Sequence, residues 1–265
     1  VVFDLDGTLW LSGTALPGAV DFVESCRRAG AAVMVATNIS MSRATDVHRR
    51  LVNEHLLNDG ELVMTAGLAL AAAMKAAGVR RAAVLAGEGL HHEIAANGIA
   101  VHDIASPMSS GFDRDAWRTP LPNSAVVMGG WPDARLADIE TAGMLAGCGL
   151  PLYVTSLEPG FPNAGGFQAG AGMMIAAARA LHRFDPIVCG KPSASYAAAV
   201  LAALGQRANV LMVGDSLMAD IGLAAAMGAE SLLLGDRPYV PLDGGAAPTF
   251  VARDLRSDIS AVEDM

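Results

Sequence analysis

The sequence predicts an α/β fold with a doubly wound, mostly parallel sheet. Short apolar runs alternate with helical stretches along the chain, an order that is typical of strand–helix–strand units. Several of the runs end in polar or glycine-rich turns, as strands do when they lead into the ligand crevice of an open parallel sheet. The 265 residues are enough for one large domain or two modest ones, and a hydrophobic fraction of 52% provides for a large core.

Each predicted element follows from its local pattern. Strands are expected at the short apolar runs Val1–Phe3, Ala31–Ala36, Ala82–Ala86, Ser124–Met128, Leu152–Thr155, Val210–Val213 and Ser231–Leu234. Helices are expected near Ser42–Asn53, Ala66–Ala77, Leu90–Ala96, Asp133–Ala146, Ala171–His182, Ala194–Leu204 and Leu217–Met227. A further helix is expected to start at Pro17, as helices with first-turn prolines do, and Gly30 follows it as a C-cap. The segments Asp103–Pro122 and Asp236–Pro248, rich in turn-forming residues, are expected to be surface loops.

The charge balance and the cysteines limit the partners and the compartment. The chain has 18 basic and 27 acidic residues, and its net charge of -9 disfavours binding to nucleic acid or to an anionic membrane. No apolar run is long enough for a membrane span. The three cysteines are scattered and fit thiols in a reducing compartment. We therefore expect a cytoplasmic protein with no nucleic-acid or membrane partner.

The first predicted strand ends in two carboxylates, Asp4 and Asp6. Strand side chains alternate with a period of two, so the two carboxylates start on the same side of the chain. Two anions this close repel each other unless a cation neutralises one of them or a proton is held between them. The pair therefore indicates a site for a divalent metal, a nucleophile and an acid.

Three further strand ends carry polar groups. Thr37 and Asn38 follow the second predicted strand with a hydroxyl and an amide. Lys191 stands in a Gly-Lys-Pro turn before a helix, and Asp215 and Asp220 follow another hydrophobic strand. All of these groups stand at the carboxyl ends of predicted strands, where open α/β sheets bind their ligands.

The four strand ends resemble, in residue type and in order, the four motifs of the haloacid dehalogenase (HAD) superfamily. The finer resemblance is to subclass IIA, the nucleotide monophosphatases, 4-nitrophenyl phosphatases and glycerol-phosphate phosphatases, whose opening is similar to Asp6–Trp10 with Leu16–Ala19. The resemblance implies a Rossmann-like HAD core with an inserted α/β cap of the C2a type. It also implies a Mg²⁺-dependent phosphoric monoester hydrolase that works through an aspartyl phosphate.

The resemblance assigns a role to each polar group. Asp4 would attack phosphorus and form the aspartyl phosphate. Asp6 would protonate the leaving oxygen and then take a proton from the hydrolytic water. The hydroxyl of Thr37 and the backbone N–H of Asn38 would bind phosphoryl oxygens. Lys191 would balance negative charge beside Asp4 and the phosphoryl group, which makes it both a catalytic and a phosphate-binding residue.

A Mg²⁺ site completes the implied machinery. Asp215 would complete this site together with the Asp4 carboxylate and the Asp6 backbone carbonyl, and Asp220 would support either the loop or a metal-bound water. Oxygen ligands with retained waters suit Mg²⁺. The predicted metal-site residues are therefore Asp4, Asp6, Asp215 and Asp220.

The spacing of the motifs locates the cap. The interval between Thr8 and Thr37 has room for one helix and one strand, which argues against family members whose cap is inserted there. The interval between Thr37 and Lys191 is long enough for a second α/β domain, and subclass IIA carries its cap at this point. We therefore expect a catalytic core of residues 1–67 and 184–265 and a cap of residues 68–183.

The cap is expected to close over the leaving group and to determine specificity. By resemblance the substrate loop is Thr155–Asn163, with Glu158 and Phe161 as candidate contacts to the substrate. The family usually has Asn and Asp where this chain has Ser156 and Glu158. Because members of the family tend to dimerise through the cap, the resemblance also implies a homodimer.

The expected function is the hydrolysis of small phosphomonoesters, namely sugar, polyol or nucleotide monophosphates. An aromatic content of 5% disfavours a pocket built on base stacking and favours sugar or polyol phosphates. Two alternatives stay open: a phosphotransferase that uses an acceptor other than water, and a non-catalytic protein that binds a phosphorylated metabolite on the same fold.

Overall fold

The chain forms two compact units in a computed structural model. The structure describes residues 1–104, 116–117, 122–163, 166–205, 209–235, 244–257 and 260–261, with the backbone alone at 161–163, 166–167 and 260–261. The first unit comprises Val1–Thr37, Thr45–Met64 and Lys191–Met265, and the second comprises Asn38–Ala44 and Thr65–Gly190.

The first unit is built on a seven-stranded sheet. Its strands, in spatial order, are β16 (Ser260–Ala261), β15 (Phe250–Ala252), β14 (Glu230–Leu234), β13 (Leu211–Gly214), β1 (Val2–Phe3), β4 (Met34–Thr37) and β5 (Leu62–Thr65). Strand β1 is parallel to β13 on one side and to β4 on the other, and β14 is parallel to both of its neighbours. The edge strand β16 runs antiparallel to β15.

The centre of this sheet positions the first candidate residue. The two residues of β1 and Leu5 beyond it have no exposed surface, as expected of a parallel strand that is covered on both faces. Val2 aligns with Met212 of β13 and with Met34 of β4. The carboxyl ends of these three strands therefore lie side by side, and Asp4 follows the middle one.

Eight α-helices and one π-helical turn are found among the described residues. In chain order they are α1 (Ala19–Arg28), α2 (Ala44–Asn53), α3 (Ala66–Ala76), α4 (Glu88–Ala96), α5 (Leu136–Gly147), α6 (Ala171–Arg179), α7 (Ala194–Leu204), the π-helical turn Leu217–Ile221 and α8 (Gly222–Met227). The side-chain hydroxyls of Thr65 and Ser193 cap the amino ends of α3 and α7. None of the described helices combines the length and the apolar character that crossing a lipid bilayer demands.

The second unit is built on a five-stranded sheet. In spatial order its strands are β12 (Ile187–Val188), β9 (Leu152–Val154), β8 (Ser124–Met128), β6 (Arg81–Leu85) and β7 (Ala100–Asp103), and all neighbouring pairs are parallel. Val126 packs with Leu145 of α5 and Ile175 of α6, while Val127 packs with residues of α3 and α4. Helices therefore cover both faces of this sheet, and the predicted α/β fold is confirmed.

The start of α1 differs from the prediction. Pro17 does not open the helix, because Gly18 is the N-cap, with a φ of 85°, and the helix begins at Ala19. A Cβ on Gly18 would overlap the side chain of Arg256, so this position needs both the left-handed conformation and the missing side chain of glycine. Gly30 follows the helix as expected, with a φ of 81°.

Two short hairpins lie where the sequence predicts no strands. Strand β2 (Trp10–Leu11) pairs with β3 (Thr14–Ala15), and β10 (Gly160–Asn163) pairs with β11 (Gly166–Ala169). The second hairpin takes up part of Thr155–Asn163, which was expected to be a loop throughout. Strands this short contain too little alternation to be recognised in a sequence.

The prediction of a surface loop at Asp103–Pro122 is wrong for the residues of this segment that the structure describes. Most of the segment lies outside the described residues. Asp103 ends β7, and Trp117 is 4% exposed within an apolar cluster of the second unit. The guanidinium of Arg81 lies 4.0 Å from the centroid of the Trp117 ring. A buried ring therefore lies in a stretch of sequence whose composition indicates a surface loop. Of the second expected loop, residues 236–243 lie outside the described residues.

Candidate active site

Asp4 lies at the carboxyl end of the central strand β1. Its backbone N–H donates to the Val213 carbonyl at 2.8 Å, which extends the pairing with β13 by one residue. Its side chain is buried, and Oδ1 accepts a hydrogen bond from Lys191 Nζ at 2.5 Å. The pKa of Asp4 is raised, mainly by burial and to a smaller extent by the nearby Asp220 carboxylate. The ammonium of Lys191 opposes this shift.

Lys191 lies between two buried carboxylates. Its side chain is 3% exposed, and Nζ donates to Oδ1 of Asp4 and to Oδ1 of Asp220, the latter at 2.7 Å. Burial alone would lower the pKa of the Lys191 ammonium. The two carboxylates together outweigh burial and raise this pKa, with Asp220 contributing more than Asp4. With both carboxylates ionised, this cluster carries a net negative charge that a bound cation would neutralise.

Asp220 supports the turn that follows β13. It is fully buried in the π-helical turn, and its Oδ2 accepts a hydrogen bond from the backbone N–H of Ser216 at 3.0 Å while Oδ1 accepts from Lys191. A Cβ on Gly214 would overlap the Asp220 carboxyl group, so the strand end must be glycine here. Both carboxylate oxygens accept bonds from the protein, and Asp220 therefore holds Lys191 and the loop together. Single π-helical turns of this kind are frequent at functional sites.

Asp215 is the exposed carboxylate of this group. The pKa of Asp215 is raised to about 6, mainly because the surrounding protein partly desolvates the carboxylate and to a smaller extent because Asp220 is near. Gly7, with a φ of 88°, lies so close that a Cβ there would overlap the Asp215 carboxyl group. One carboxylate oxygen from each of Asp4, Asp215 and Asp220 lies within 4.8 Å of the others. Hard oxygen donors in this arrangement fit Mg²⁺ or Ca²⁺.

Asp6 is exposed, and a buried tryptophan orients its side chain. The Trp10 Nε1–H donates to Asp6 Oδ1 at 2.9 Å, and the Trp10 side chain is almost completely buried. Partial desolvation raises the pKa of Asp6, and the bond from Trp10 lowers it to a smaller extent. Among the described residues, the carboxylate oxygens that lie close enough together to hold a metal ion come from Asp4, Asp215 and Asp220 and not from the Asp6 side chain.

Thr37 ends β4, directly beside β1. Its side chain is buried, and its carbonyl oxygen lies 3.1 Å from the hydroxyl of Tyr196. The sequence analysis did not predict a role for Tyr196. Its position in the first turn of the helix after Lys191 could have indicated that it lies near the site. Asn38 follows Thr37 and belongs to the second unit, where a Cβ on Gly190 would overlap the Asn38 side-chain oxygen.

The candidate substrate contacts lie in the second unit. Glu158 is exposed, its N–H donates to Ser156 Oγ at 3.0 Å, and its carbonyl accepts from Gly172 N–H at the same distance. Phe161 pairs with Gln168 through its backbone in the β10–β11 hairpin, and its side chain lies outside the described residues. These two residues belong to an ordered turn and hairpin, and their contact with a substrate stays a prediction.

Two family models match the chain. Residues 1–100 match the model described as haloacid dehalogenase-like hydrolase, and residues 188–257 match the one described as HAD-hydrolase-like. The matched segments contain all four strand-end motifs. The chain belongs to the HAD-like hydrolases. The two family models together thus cover the aspartates and the lysine that the structure brings together.

Related HAD proteins are named as phosphatases. D-glycerol 3-phosphate phosphatase from Mycobacterium tuberculosis is 29% identical over 265 residues, which cover 97% of this chain and 70% of the relative. Glycerol-3-phosphate phosphatase from Homo sapiens is 29% identical over 248 residues, with 88% and 77% covered. Sugar-phosphatase AraL from Bacillus subtilis is 24% identical over 237 residues, with 88% and 82% covered.

Solved HAD structures show the same fold. The 4-nitrophenylphosphatase from Thermotoga maritima has a TM-score of 0.79 and 26% identity, covering 97% of this chain and 94% of its own. A glycerol phosphate phosphatase from Mycobacterium tuberculosis in complex with magnesium has a TM-score of 0.79 and 27% identity, covering 96% and 75%. A calcium complex of the latter is also similar. The resemblance to subclass IIA and the expected enzyme class, a phosphoric monoester hydrolase, are confirmed by these relatives.

Proposed function

We propose that this HAD protein hydrolyses small phosphomonoesters with the help of Mg²⁺, through an aspartyl phosphate on Asp4. The observation that carries the proposal is the buried contact of Lys191 with both Asp4 and Asp220 at the carboxyl end of the central strand. It brings a carboxylate nucleophile and a permanent positive charge to one point. Phosphoryl transfer needs little else, because positioning and charge neutralisation supply most of the catalysis.

The proposed reaction has two steps. An oxygen of Asp4 attacks phosphorus, so that a bond from phosphorus to Asp4 forms while the bond to the leaving oxygen breaks. Asp6, oriented by Trp10, gives its proton to the leaving oxygen, and the product departs as an alcohol. Water then attacks the phosphorus, gives a proton to Asp6 and releases Asp4 and inorganic phosphate. Asp6 ends the cycle protonated, ready for the next substrate.

The phosphoryl group would be held by the neighbouring strand end. The Thr37 hydroxyl and the Asn38 N–H would donate to its oxygens, and Lys191 would neutralise its charge beside Asp4. Donors that are already in place stabilise the charge of the transition state without reorganisation. The burial of Thr37 and Lys191 supports this role, because hydrogen bonds and charges act more strongly away from water.

A Mg²⁺ ion fits the residues that are present. Asp4, Asp215 and the Asp6 backbone carbonyl would hold it, and the bound ion would supply charge neutralisation at the phosphoryl oxygens. The oxygens of the three grouped aspartates support such a site, and a relative has been solved with magnesium and with calcium. We propose Asp220 as the support of Lys191 and the loop, since both of its oxygens bind the protein.

The second unit would act as the cap. Its main segment, Thr65–Gly190, is longer at both ends than the expected residues 68–183, and it is joined by Asn38–Ala44. A cap of this size would exclude water and select the leaving group. The preference for sugar or polyol phosphates agrees with relatives named for glycerol phosphate and sugar phosphates. The homodimer through the cap and the cytoplasmic location stay predictions.

The function is tested by release of 4-nitrophenol from 4-nitrophenyl phosphate. We expect hydrolysis in MgCl2, loss of hydrolysis in excess EDTA, and recovery when Mg²⁺ is restored. Absence of metal-dependent release over the range from about pH 5 to 9 would favour a binding protein instead. Transfer of the phosphoryl group to added glycerol or glucose, at the expense of inorganic phosphate, would favour a phosphotransferase.

The nucleophile is tested by Asp4→Asn. An amide cannot attack phosphorus, so turnover should fall by at least about 10⁴-fold, as it does when a covalent nucleophile is removed. Steady-state kinetics with 4-nitrophenyl phosphate measure the loss. Asp59→Asn removes an exposed carboxylate outside the site and should leave turnover unchanged. Wild-type turnover by Asp4→Asn would contradict the aspartyl-phosphate mechanism.

A further inference from the structure

Tyr196 is a buried residue that the proposed mechanism does not use. It lies in the first turn of α7, shortly after Lys191, and its side chain has no exposed surface. Its hydroxyl lies 2.7 Å from the carbonyl oxygen of Met64 and 3.1 Å from that of Thr37. These carbonyls belong to β5 and β4, which are neighbours in the sheet of the first unit. Tyr196 therefore links two adjacent strand ends.

The Tyr196 hydroxyl is held as a hydrogen-bond donor. A phenol has one proton, and here two carbonyl oxygens share it. Burial raises the pKa of Tyr196, so the hydroxyl keeps its proton. The backbone of the tyrosine is fixed as well, because its N–H donates to the capping hydroxyl of Ser193 at 3.2 Å.

The Thr37 carbonyl and the Asn38 N–H are the two ends of one planar peptide unit. They point in opposite directions, so a bond that fixes the carbonyl also fixes the direction of the N–H. A hydrogen bond to the carbonyl also polarises the peptide and strengthens the N–H as a donor. This N–H is the group that would bind a phosphoryl oxygen.

We propose that Tyr196 is a positioning residue for catalysis, which aims the Asn38 N–H at the phosphoryl group by binding the Thr37 carbonyl. The inference rests on the proposed phosphatase function and adds to it a residue that does not touch the substrate. The second contact, to Met64, ties the same hydroxyl to the neighbouring strand and restrains rotation of the peptide. An aimed donor acts mainly on the transition state, where the charge on the phosphoryl oxygens is redistributed.

The test compares Tyr196→Phe with Tyr153→Phe. Each variant removes one hydroxyl from a buried ring, but Tyr153, at 5% exposure, lies on β9 of the second unit. Tyr196→Phe should lower kcat for 4-nitrophenyl phosphate by about 10- to 100-fold, the usual loss when a group that orients a functional group is removed. KM should change by less than about threefold, because the lost interaction belongs to the transition state. Tyr153→Phe should keep both constants.

Orthovanadate supplies a readout that a merely structural role would not move. Bound vanadate mimics five-coordinate phosphorus, so its binding should depend on the Asn38 N–H that Tyr196 aims. The inhibition constant of vanadate should therefore rise in Tyr196→Phe by the factor by which kcat falls. The Mg²⁺ concentration for half-maximal activity should stay within about twofold, because the aspartates are unchanged. Unchanged kcat and vanadate inhibition in Tyr196→Phe, or an equal loss in Tyr153→Phe, would overturn the inference.

Fluorinated tyrosines at position 196 replace the phenylalanine variant if that variant does not fold. They keep the hydroxyl in place and make it a stronger donor with each fluorine. Vanadate inhibition should then strengthen stepwise, and inhibition that is independent of donor strength would overturn the inference. A wild-type enzyme without phosphatase activity would contradict the proposed function, whereas an active wild type with an unaffected Tyr196→Phe would contradict the role of Tyr196 alone.

Discussion

The charge balance around one buried lysine governs both the stability and the chemistry of the site. Burying a charge costs several kcal/mol unless a partner compensates it, and removing one partner leaves the other uncompensated. Lys191 is compensated by Asp4 and Asp220, and both carboxylates depend on it in turn. Loss of any one of these three side chains should therefore destabilise the other two. The net negative charge of Asp4, Lys191 and Asp220 together favours the binding of a cation.

Lys191→Met should lower the free energy of unfolding by about 3 to 5 kcal/mol in the absence of divalent ions. The cause is that Asp4 and Asp220 would stay buried near each other without a positive charge. Urea unfolding with and without MgCl2 measures the loss and its partial recovery by the ion. Lys75→Met, at an exposed position in the last turn of α3, is the control and should change stability by less than about 0.5 kcal/mol. Equal losses in the two variants would contradict the prediction.

Among the elements, the turn after β1 and the end of β13 each lie directly against a carboxylate of the site. Both can do so because a glycine stands at the point of contact. Gly7 lies in the turn after β1, against the Asp215 carboxyl group, and Gly214 ends β13 against that of Asp220. A side chain at either position would occupy the space of a carboxylate. The turn after β1, the end of β13 and the π-helical turn thus form one packed arrangement, and the site depends on backbone as much as on side chains.

Gly7→Ala should weaken the apparent affinity for Mg²⁺, whereas Gly13→Ala should not. Both glycines have left-handed backbones, with φ of 88° and 87°, so both variants carry the same strain of about 1 to 2 kcal/mol. A Cβ at Gly7 displaces Asp215, while a Cβ at Gly13 has no atom within 4 Å. The Mg²⁺ concentration for half-maximal activity should rise about tenfold in Gly7→Ala alone. A similar rise in both variants would show that strain, and not Asp215, is responsible.

Gly214→Ala should separate Asp220 from Lys191. The overlap with the carboxyl group should lower the free energy of unfolding by about 1 to 3 kcal/mol, as overpacking does, and should reduce kcat. Gly235, which follows the neighbouring strand β14, offers a matched control because a Cβ there has no atom within 4 Å. Chemical unfolding and steady-state kinetics of the two alanine variants measure the difference. Wild-type behaviour of Gly214→Ala would refute the tight packing at this strand end.

For the whole molecule, the division into two units places the clustered carboxylates and Lys191 in one unit and the candidate substrate contacts in the other. Asp4, Asp215 and Asp220 all belong to the first unit, as do Lys191 and Tyr196. The proposed Mg²⁺ ligands, Asp4, Asp215 and the Asp6 carbonyl, therefore all lie in one unit, and a bound ion should stabilise that unit. The candidate substrate contacts belong to the second unit, where the chain departs from the residues usual in the family.

Mg²⁺ should raise the stability of the folded chain and should not do so after Asp215→Asn. An ion that binds the folded state alone adds about 2.7 kcal/mol at a hundred times its dissociation constant. Thermal unfolding in MgCl2, compared with NaCl of equal ionic strength, measures the effect. Asp59→Asn, at an exposed position, should keep the full rise in Tm. An equal rise in wild type and Asp215→Asn would contradict a site that contains Asp215.

Elements with a strong local pattern could be predicted, and elements held by distant contacts could not. The long helices and buried strands follow from apolar periodicity. The short hairpin at β10 and β11 carries no such pattern, and Trp117 lies in a segment whose composition indicates a loop. Pro17 was expected to begin α1 but lies two residues before its first residue, Ala19, because Gly18 forms a left-handed N-cap that lies against the side chain of Arg256.

The sequence by itself determined which chemical groups stand at the strand ends. An alternation of strands and helices produces parallel strands, and the carboxyl ends of parallel strands share one edge of a sheet, so Asp4, Thr37 and Asp215 could be expected together. Lys191 follows β12, a strand of the other sheet, so this argument does not extend to it. The tertiary structure alone decided that Asp220 braces Lys191 and that the Tyr196 hydroxyl binds the Thr37 carbonyl. These bonds join residues far apart in the chain, and they depend on side-chain packing, which leaves no periodic trace in the sequence.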